Sequence, residues 1–142
     1  MRYTVLDGER RLARGESTRA LGAGYAPTLA RLRAAAGRVA VLTDVPRPPE
    51  DIPSCVSGAM RRLRRCAFAR GPAVANAFAI RDAAARVPGI ETVDATDRFC
   101  LPDLCPAVVG DVLVYRNSGH VTASYMKTLA PWLQRRLGRT TR

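Results

Sequence analysis

The sequence predicts an α/β fold, and three observations carry that expectation. Val39-Ala40-Val41-Leu42 is an unbroken apolar run of strand length, the signature of a strand covered on both faces of a parallel sheet. Ile90-Glu91-Thr92-Val93-Asp94 is a second, shorter strand candidate. Helix-period segments stand before, between and after these runs, and strands alternating with helices argue for a layered sheet.

The first helix is expected from Ser17, which can cap it, to about Ala36, with Leu21, Tyr25, Leu29 and Leu32 forming an apolar stripe. Pro27 inside that run predicts a kink or a restart near Ala26, and Gly37 closes the helix. Asp44-Val45-Pro46-Arg47-Pro48-Pro49 ends the first strand. The chain then crosses the C-terminal edge of the sheet, where open α/β folds build their sites. A second helix is expected over Ala73 to Arg86, with Ala73, Ala77, Ile80 and Ala84 inward, and Pro88-Gly89 terminates it. Ala107-Val108-Val109 and Val112-Leu113-Val114-Tyr115 flank Gly110-Asp111, a tight hairpin or bulge. A closing helix runs from near Thr122 to near Gly138. The expected organisation is an N-terminal segment or linker over 1–16, an α/β domain over 17–138 and a basic tail over 139–142.

A chain of 142 residues, 47% hydrophobic and 25% charged, has room for one domain and excludes disorder and collagen-like repeats. The formal charge of +11 is carried almost wholly by arginine, Lys127 being the one lysine. Such a charge favours anionic polymers or membranes. The competing reading is a GC-rich coding sequence with solvated surface arginine. The densest run is Arg61, Arg62, Arg64 and Arg65 around Leu63, and no aromatic is interleaved with it as in single-strand binders. No stretch approaches the roughly 18 to 20 apolar residues of a membrane span, and Met1 to Asp7 lacks the apolar core of a secretory signal.

The four cysteines form two local pairs, Cys55 with Cys66 and Cys100 with Cys105. Two disulfide-closed loops are the leading use, and they persist outside the reducing cytosol. Free buried thiols and a zinc site are the rivals, although the gap from Cys55 to Cys66 is far longer than a zinc knuckle uses.

Three segments together carry a family resemblance. They are Val41 to Pro49 leading to Ile52-Pro53-Ser54-Cys55, then Val93 to Cys100 with Cys105-Pro106, and then Val114-Tyr115-Arg116-Asn117-Ser118-Gly119-His120-Val121-Thr122. In that order they resemble the C-terminal half of the SGNH-type domain carried by acyltransferase-3 membrane proteins, the peptidoglycan and lipopolysaccharide O-acetylases. The resemblance spans roughly Ala20 to Leu133. It implies a flavodoxin-like three-layer SGNH hydrolase fold, incomplete here at its N-terminal side. It further implies an extracytoplasmic or membrane-associated place, an acylated envelope carbohydrate as substrate and an upstream membrane acyltransferase portion as partner. The same resemblance supports the pairings Cys55–Cys66 and Cys100–Cys105.

The family's serine nucleophile sits in a Gly-Asp-Ser block, which this sequence does not contain. Gly15-Glu16-Ser17 is the nearest triplet, and it precedes a helix rather than following a buried strand. His120, the one histidine, occupies the family's general-base position. Asn117 stands where the family places the aspartate that orients that base. By analogy with Ser-His-Asp triads, such an Asp-to-Asn change costs about 10⁴ in turnover. The expected function is therefore a partial O-acyltransferase or esterase domain, inactive alone, with no cofactor and no metal. The alternative is a non-catalytic basic module that binds an anionic envelope polymer or nucleic acid through Arg61, Arg62, Arg64, Arg65, Arg135, Arg136 and Arg139.

Overall fold

A computed structural model of the chain describes residues 5–75 and 77–138. The basic tail 139–142, with Arg139, lies outside the described residues. In chain order the elements are β1 (Leu6–Asp7), β2 (Arg10–Arg11), α1 (Arg14–Ala35), β3 (Val39–Leu42), α2 (Ile52–Gly58), a 3₁₀ turn (Leu63–Cys66), β4 (Phe68–Ala69), α3 (Arg70–Ala73), α4 (Ala77–Ala85), β5 (Ile90–Val93), α5 (Thr96–Phe99), β6 (Leu104–Cys105), β7 (Val108–Val109), β8 (Val112–Leu113) and α6 (Ala123–Gly138). The fold is mixed α/β, and the elements group into two compact units.

Among the described residues, the first unit comprises 5–43 and 77–93. Its sheet is the parallel pair β3–β5, in register from Val39 opposite Ile90 to Leu42 opposite Val93. Parallel strands need a long crossover rather than a hairpin, and the sequence between β3 and β5 supplies it. Leu29 of α1 and Ala83 and Ala84 of α4 form the buried centre, with Val41, Ile80, Val87 and Ile90 packed around them. The apolar run 39–42 is not covered on both faces, contrary to the expectation: Val39 and Val41 are half-buried, whereas Ala40 and Leu42 on the other face are exposed.

Helix α1 departs from its expected form in two ways. It starts at Arg14 rather than after Ser17, because the Ala13 N–H donates to Glu16 Oε2 at 2.9 Å and closes the first turn. That contact and the neighbouring Arg10 hold the Glu16 carboxyl below its ordinary range. The expected stripe is also rotated: Tyr25 and Leu32 are exposed, and the buried positions are Gly22 and Leu29. The cause is a close approach to α4. A Cβ at Gly22 would stand 2.0 Å from Asp82 Oδ2 and 2.9 Å from Asp82 Cβ, so only glycine admits that neighbour. The close fit at Gly22, together with Leu29, sets the packed face. Pro27 lies within α1, which continues past it without a break, so the helix does not restart near Ala26.

Among the described residues, the second unit comprises 44–75 and 94–138. Its core gathers Ile52, Cys66, Phe68, Ala73, Phe99, Cys105, Val114, Tyr115, Tyr125 and Leu129. Phe99 stacks edge-on against Tyr125 with centroids 5.4 Å apart, and Phe68 and Tyr115 lie 5.6 Å apart. The expected helix 73–86 is instead split between α3, ending at Ala73, and α4, starting at Ala77. The expected hairpin is present as β7–β8, turned at Gly110 with φ +57°, a left-handed conformation that glycine accepts without strain.

Candidate histidine site

The candidate site grows out of the last strand segment of the second unit. After β8 the chain buries Val114 and Tyr115 completely, and Tyr115 bridges to Val121 in antiparallel fashion. That bridge and the bond from Arg116 N–H to the His120 carbonyl, at 2.9 Å, close a tight loop over 116–120. Thr122 then starts α6. Its N–H donates to the Val114 carbonyl, its hydroxyl donates to the Leu113 carbonyl at 2.5 Å, and the same hydroxyl accepts the Tyr125 N–H at 3.1 Å. A threonine bonded both backward to the strand and forward to the helix fixes the direction in which the loop projects.

Asn117 organises the tip of that loop. Its Oδ1 accepts the N–H of Gly119 at 2.9 Å and the N–H of His120 at 2.8 Å. The same oxygen lies 3.0 Å from His120 Nδ1. An amide oxygen only accepts, so the ring nitrogen facing it carries the proton. Flipping the amide would turn its NH₂ against two backbone donors, so the oxygen is locked in place. The neutral ring therefore keeps Nε2 unprotonated, and His120 is exposed.

From Asp44 and from Asp94 onward, the other two motif segments belong to the same unit. Pro46 and Pro48 are buried, and Arg47 N–H donates to the Ala73 carbonyl at 2.9 Å. A Cβ added at Gly119 would lie 3.9 Å from Arg47 Nη2, which puts that guanidinium beside the Asn117 turn. The contact is visible only in three dimensions, although Arg47 belongs to a segment that the sequence had already marked. Asp94 Oδ1 accepts from both Thr96 N–H and Thr96 Oγ1 and so shapes the start of α5. The Tyr125 hydroxyl donates to the Arg98 carbonyl, tying α5 to α6, while the Arg98 guanidinium lies 5.3 Å over the Trp132 ring.

Both cysteine pairs are disulfides, Cys55–Cys66 with Cα atoms 5.8 Å apart and Cys100–Cys105 with Cα atoms 4.0 Å apart. This removes the free-thiol and zinc readings, since no thiolate is left to ligate. Ser17 is half-buried in the first turn of α1, where its hydroxyl donates to the Leu12 carbonyl at 3.3 Å. It is a helix residue facing its own backbone rather than the cap expected of it. Arg61, Arg62, Arg64 and Arg65 are all exposed, and among the described residues none has an acidic side chain within ion-pair distance.

The family model of the SGNH domain fused to AT3 domains matches residues 2–135. The chain belongs to that family. Neither the curated proteins nor the solved structures yield a significant match.

Proposed function

We propose that this chain is the histidine-bearing part of an O-acyltransferase or esterase domain. Its substrates are acyl esters of cell-envelope carbohydrates, outside the cytoplasmic membrane. The observation that carries the reading is the Asn117–His120 pair, a locked amide oxygen 3.0 Å from Nδ1 that leaves Nε2 free to take a proton. Family membership and the two disulfides support the compartment and the chemistry.

In the complete reaction a serine Oγ bonds to the acyl carbon of the ester while His120 Nε2 takes the hydroxyl proton. Backbone and amide donors hold the oxyanion, the ester C–O bond breaks, and the proton passes from Nε2 to the departing alkoxide. A carbohydrate hydroxyl or water then takes the acyl group by the reverse steps. His120 is the base and Asn117 the residue that positions it. The sequence holds no Gly-Asp-Ser block, so the chain alone has no turnover. In this reading β3–β5 is part of a larger three-layer flavodoxin-like sheet, which agrees with the exposure of Ala40 and Leu42, because parallel sheets are ordinarily covered on both faces.

The test supplies, in cis and upstream, a segment carrying the Gly-Asp-Ser block and follows hydrolysis of an acetyl ester. Weak activity that disappears with His120→Ala is the expected result. Saturable hydrolysis by the 142-residue chain itself, abolished by His120→Ala or Ser17→Ala, would overturn the proposal.

A further inference from the structure

The segment Met60-Arg61-Arg62-Leu63-Arg64-Arg65 takes no part in the histidine loop. It follows α2 and is fastened at both ends: Ile52 and Cys66 are buried in the core, and the Cys55–Cys66 disulfide closes the loop. Its backbone is ordered by bonds from Arg65 N–H to the Arg62 carbonyl at 3.0 Å and from Ala67 N–H to the Arg64 carbonyl at 3.2 Å. The acid at the start of α2 is occupied elsewhere, since Asp51 Oδ1 accepts from both the N–H and the hydroxyl of Ser54.

Two apolar side chains are held out among the four exposed arginines, Met60 at 75% exposure and Leu63 at 37%. A run of solvated charge does not require long apolar groups between the cations, and a polyanion in solution gives them nowhere dry to go. A bilayer surface provides for both, with phosphates at the headgroup level and the acyl boundary a few ångströms beneath. Fusion of this domain type to AT3 membrane acyltransferase domains brings such a surface within reach.

We propose that residues 60–65 dock this domain on anionic phospholipid headgroups. The four guanidiniums pair with lipid phosphates, and Met60 and Leu63 enter the interface. The disulfide matters because it presents these six residues as one preformed surface, which lowers the ordering cost of docking.

The experiment is sedimentation of the oxidised chain with vesicles of phosphatidylcholine, with and without phosphatidylglycerol. Binding is expected only with phosphatidylglycerol, weakening as salt rises. Replacing Arg61, Arg62, Arg64 and Arg65 with serine should lower the partition coefficient about fivefold per arginine, several hundredfold in all. Removing four exposed arginines elsewhere, Arg11, Arg14, Arg19 and Arg135, should lower it far less. The pair Met60→Ser and Leu63→Ser should weaken vesicle binding and leave retention on inorganic polyphosphate unchanged. Equal binding to both kinds of vesicle, or equal losses in the two arginine variants, would overturn the proposal. So would a serine pair without effect on vesicles, which would assign the patch to a soluble polyanion such as nucleic acid.

Discussion

Asn117 Oδ1 faces His120 Nδ1 at 3.0 Å, and the same oxygen is held by the N–H groups of Gly119 and His120. In the proposed reaction this geometry supplies the orienting half of an acid's work with a neutral amide. What it lacks is the negative charge that would stabilise an imidazolium.

The neutral ring should therefore carry its proton on Nδ1. Long-range proton–nitrogen NMR at a pH where the ring is uncharged reads this directly. Asn117→Ala should return the ring to the Nε2–H form that free imidazole side chains favour in water. A wild-type Nε2–H ring would show that the amide does not hold it.

If the proposed reading holds, Asn117→Asp should produce no esterase activity in the chain alone, because there His120 is an oriented base without a nucleophile. Once a serine block is supplied, the same substitution should raise kcat about tenfold to a hundredfold, the added strength of a hydrogen bond to a charged partner. The cost of about 10⁴ drawn from triads includes a wrong tautomer. Here the locked oxygen already sets the right one, so the gain should fall well short of that figure.

Much of this site was legible in the sequence, because the Val114 to Thr122 segment is continuous and its hydrogen bonds are local. Arg47 beside Gly119 was not, since it arrives from the Pro-rich segment through tertiary packing. The fold divides along the same line. The strand at Val39–Leu42, the Gly110 turn and the closing helix follow from local pattern. The buried face of α1 does not, because it was chosen by the fit of Gly22 against Asp82 on a distant helix. The exposure of Ala40 and Leu42 escaped as well, since an apolar run shows what a strand could bury and not what covers it.

The two buried tyrosines of the second unit should respond in opposite ways to loss of the hydroxyl. Tyr115 is fully buried and its hydroxyl has no hydrogen-bond partner among the described residues, so Tyr115→Phe should stabilise by about 1 kcal/mol. The Tyr125 hydroxyl donates to the Arg98 carbonyl, so Tyr125→Phe should destabilise by about 1 kcal/mol. Thermal melts of the two variants check both signs.

Burial raises the pKa of both groups, with Tyr125 next to Tyr115 adding to the effect and Arg98 next to Tyr125 opposing it. The folded state holds them neutral where the unfolded chain ionises, near pH 10. The pH-dependent stability linked to these two groups is thus fully present below about pH 10 and is lost as pH rises above it. Tyrosinate absorbance should show Tyr115 and Tyr125 ionising late, together with alkaline unfolding. Loss of the late phase in the two Phe variants assigns it.

Non-reducing peptide mapping should find Cys55 with Cys66 and Cys100 with Cys105, and no crossed pair. Opening the first loop by a double Ala substitution should cost about 3 kcal/mol and opening the shorter second loop about 2 kcal/mol, by the entropy of loop closure. Denaturant melts of the two variants measure the order.

The β3–β5 pair has no third strand among the described residues, and Leu42 is 44% exposed. Open edges with apolar neighbours favour association. Sedimentation velocity should show concentration-dependent self-association that Leu42→Lys reduces. A monomer that persists at high concentration would count against it.

Neither compact unit is a continuous stretch of chain. The partners in the β3–β5 pairing are roughly fifty residues apart in sequence, and part of the second unit's sequence comes between them. During synthesis β3 leaves the ribosome long before β5, while the second unit waits for α6. The contact order of the first unit is accordingly high, which makes its folding slow and leaves Val39–Leu42 without its parallel neighbour for the longest interval. A chaperone that holds short apolar segments would find its target there, in the nascent chain rather than in the finished protein.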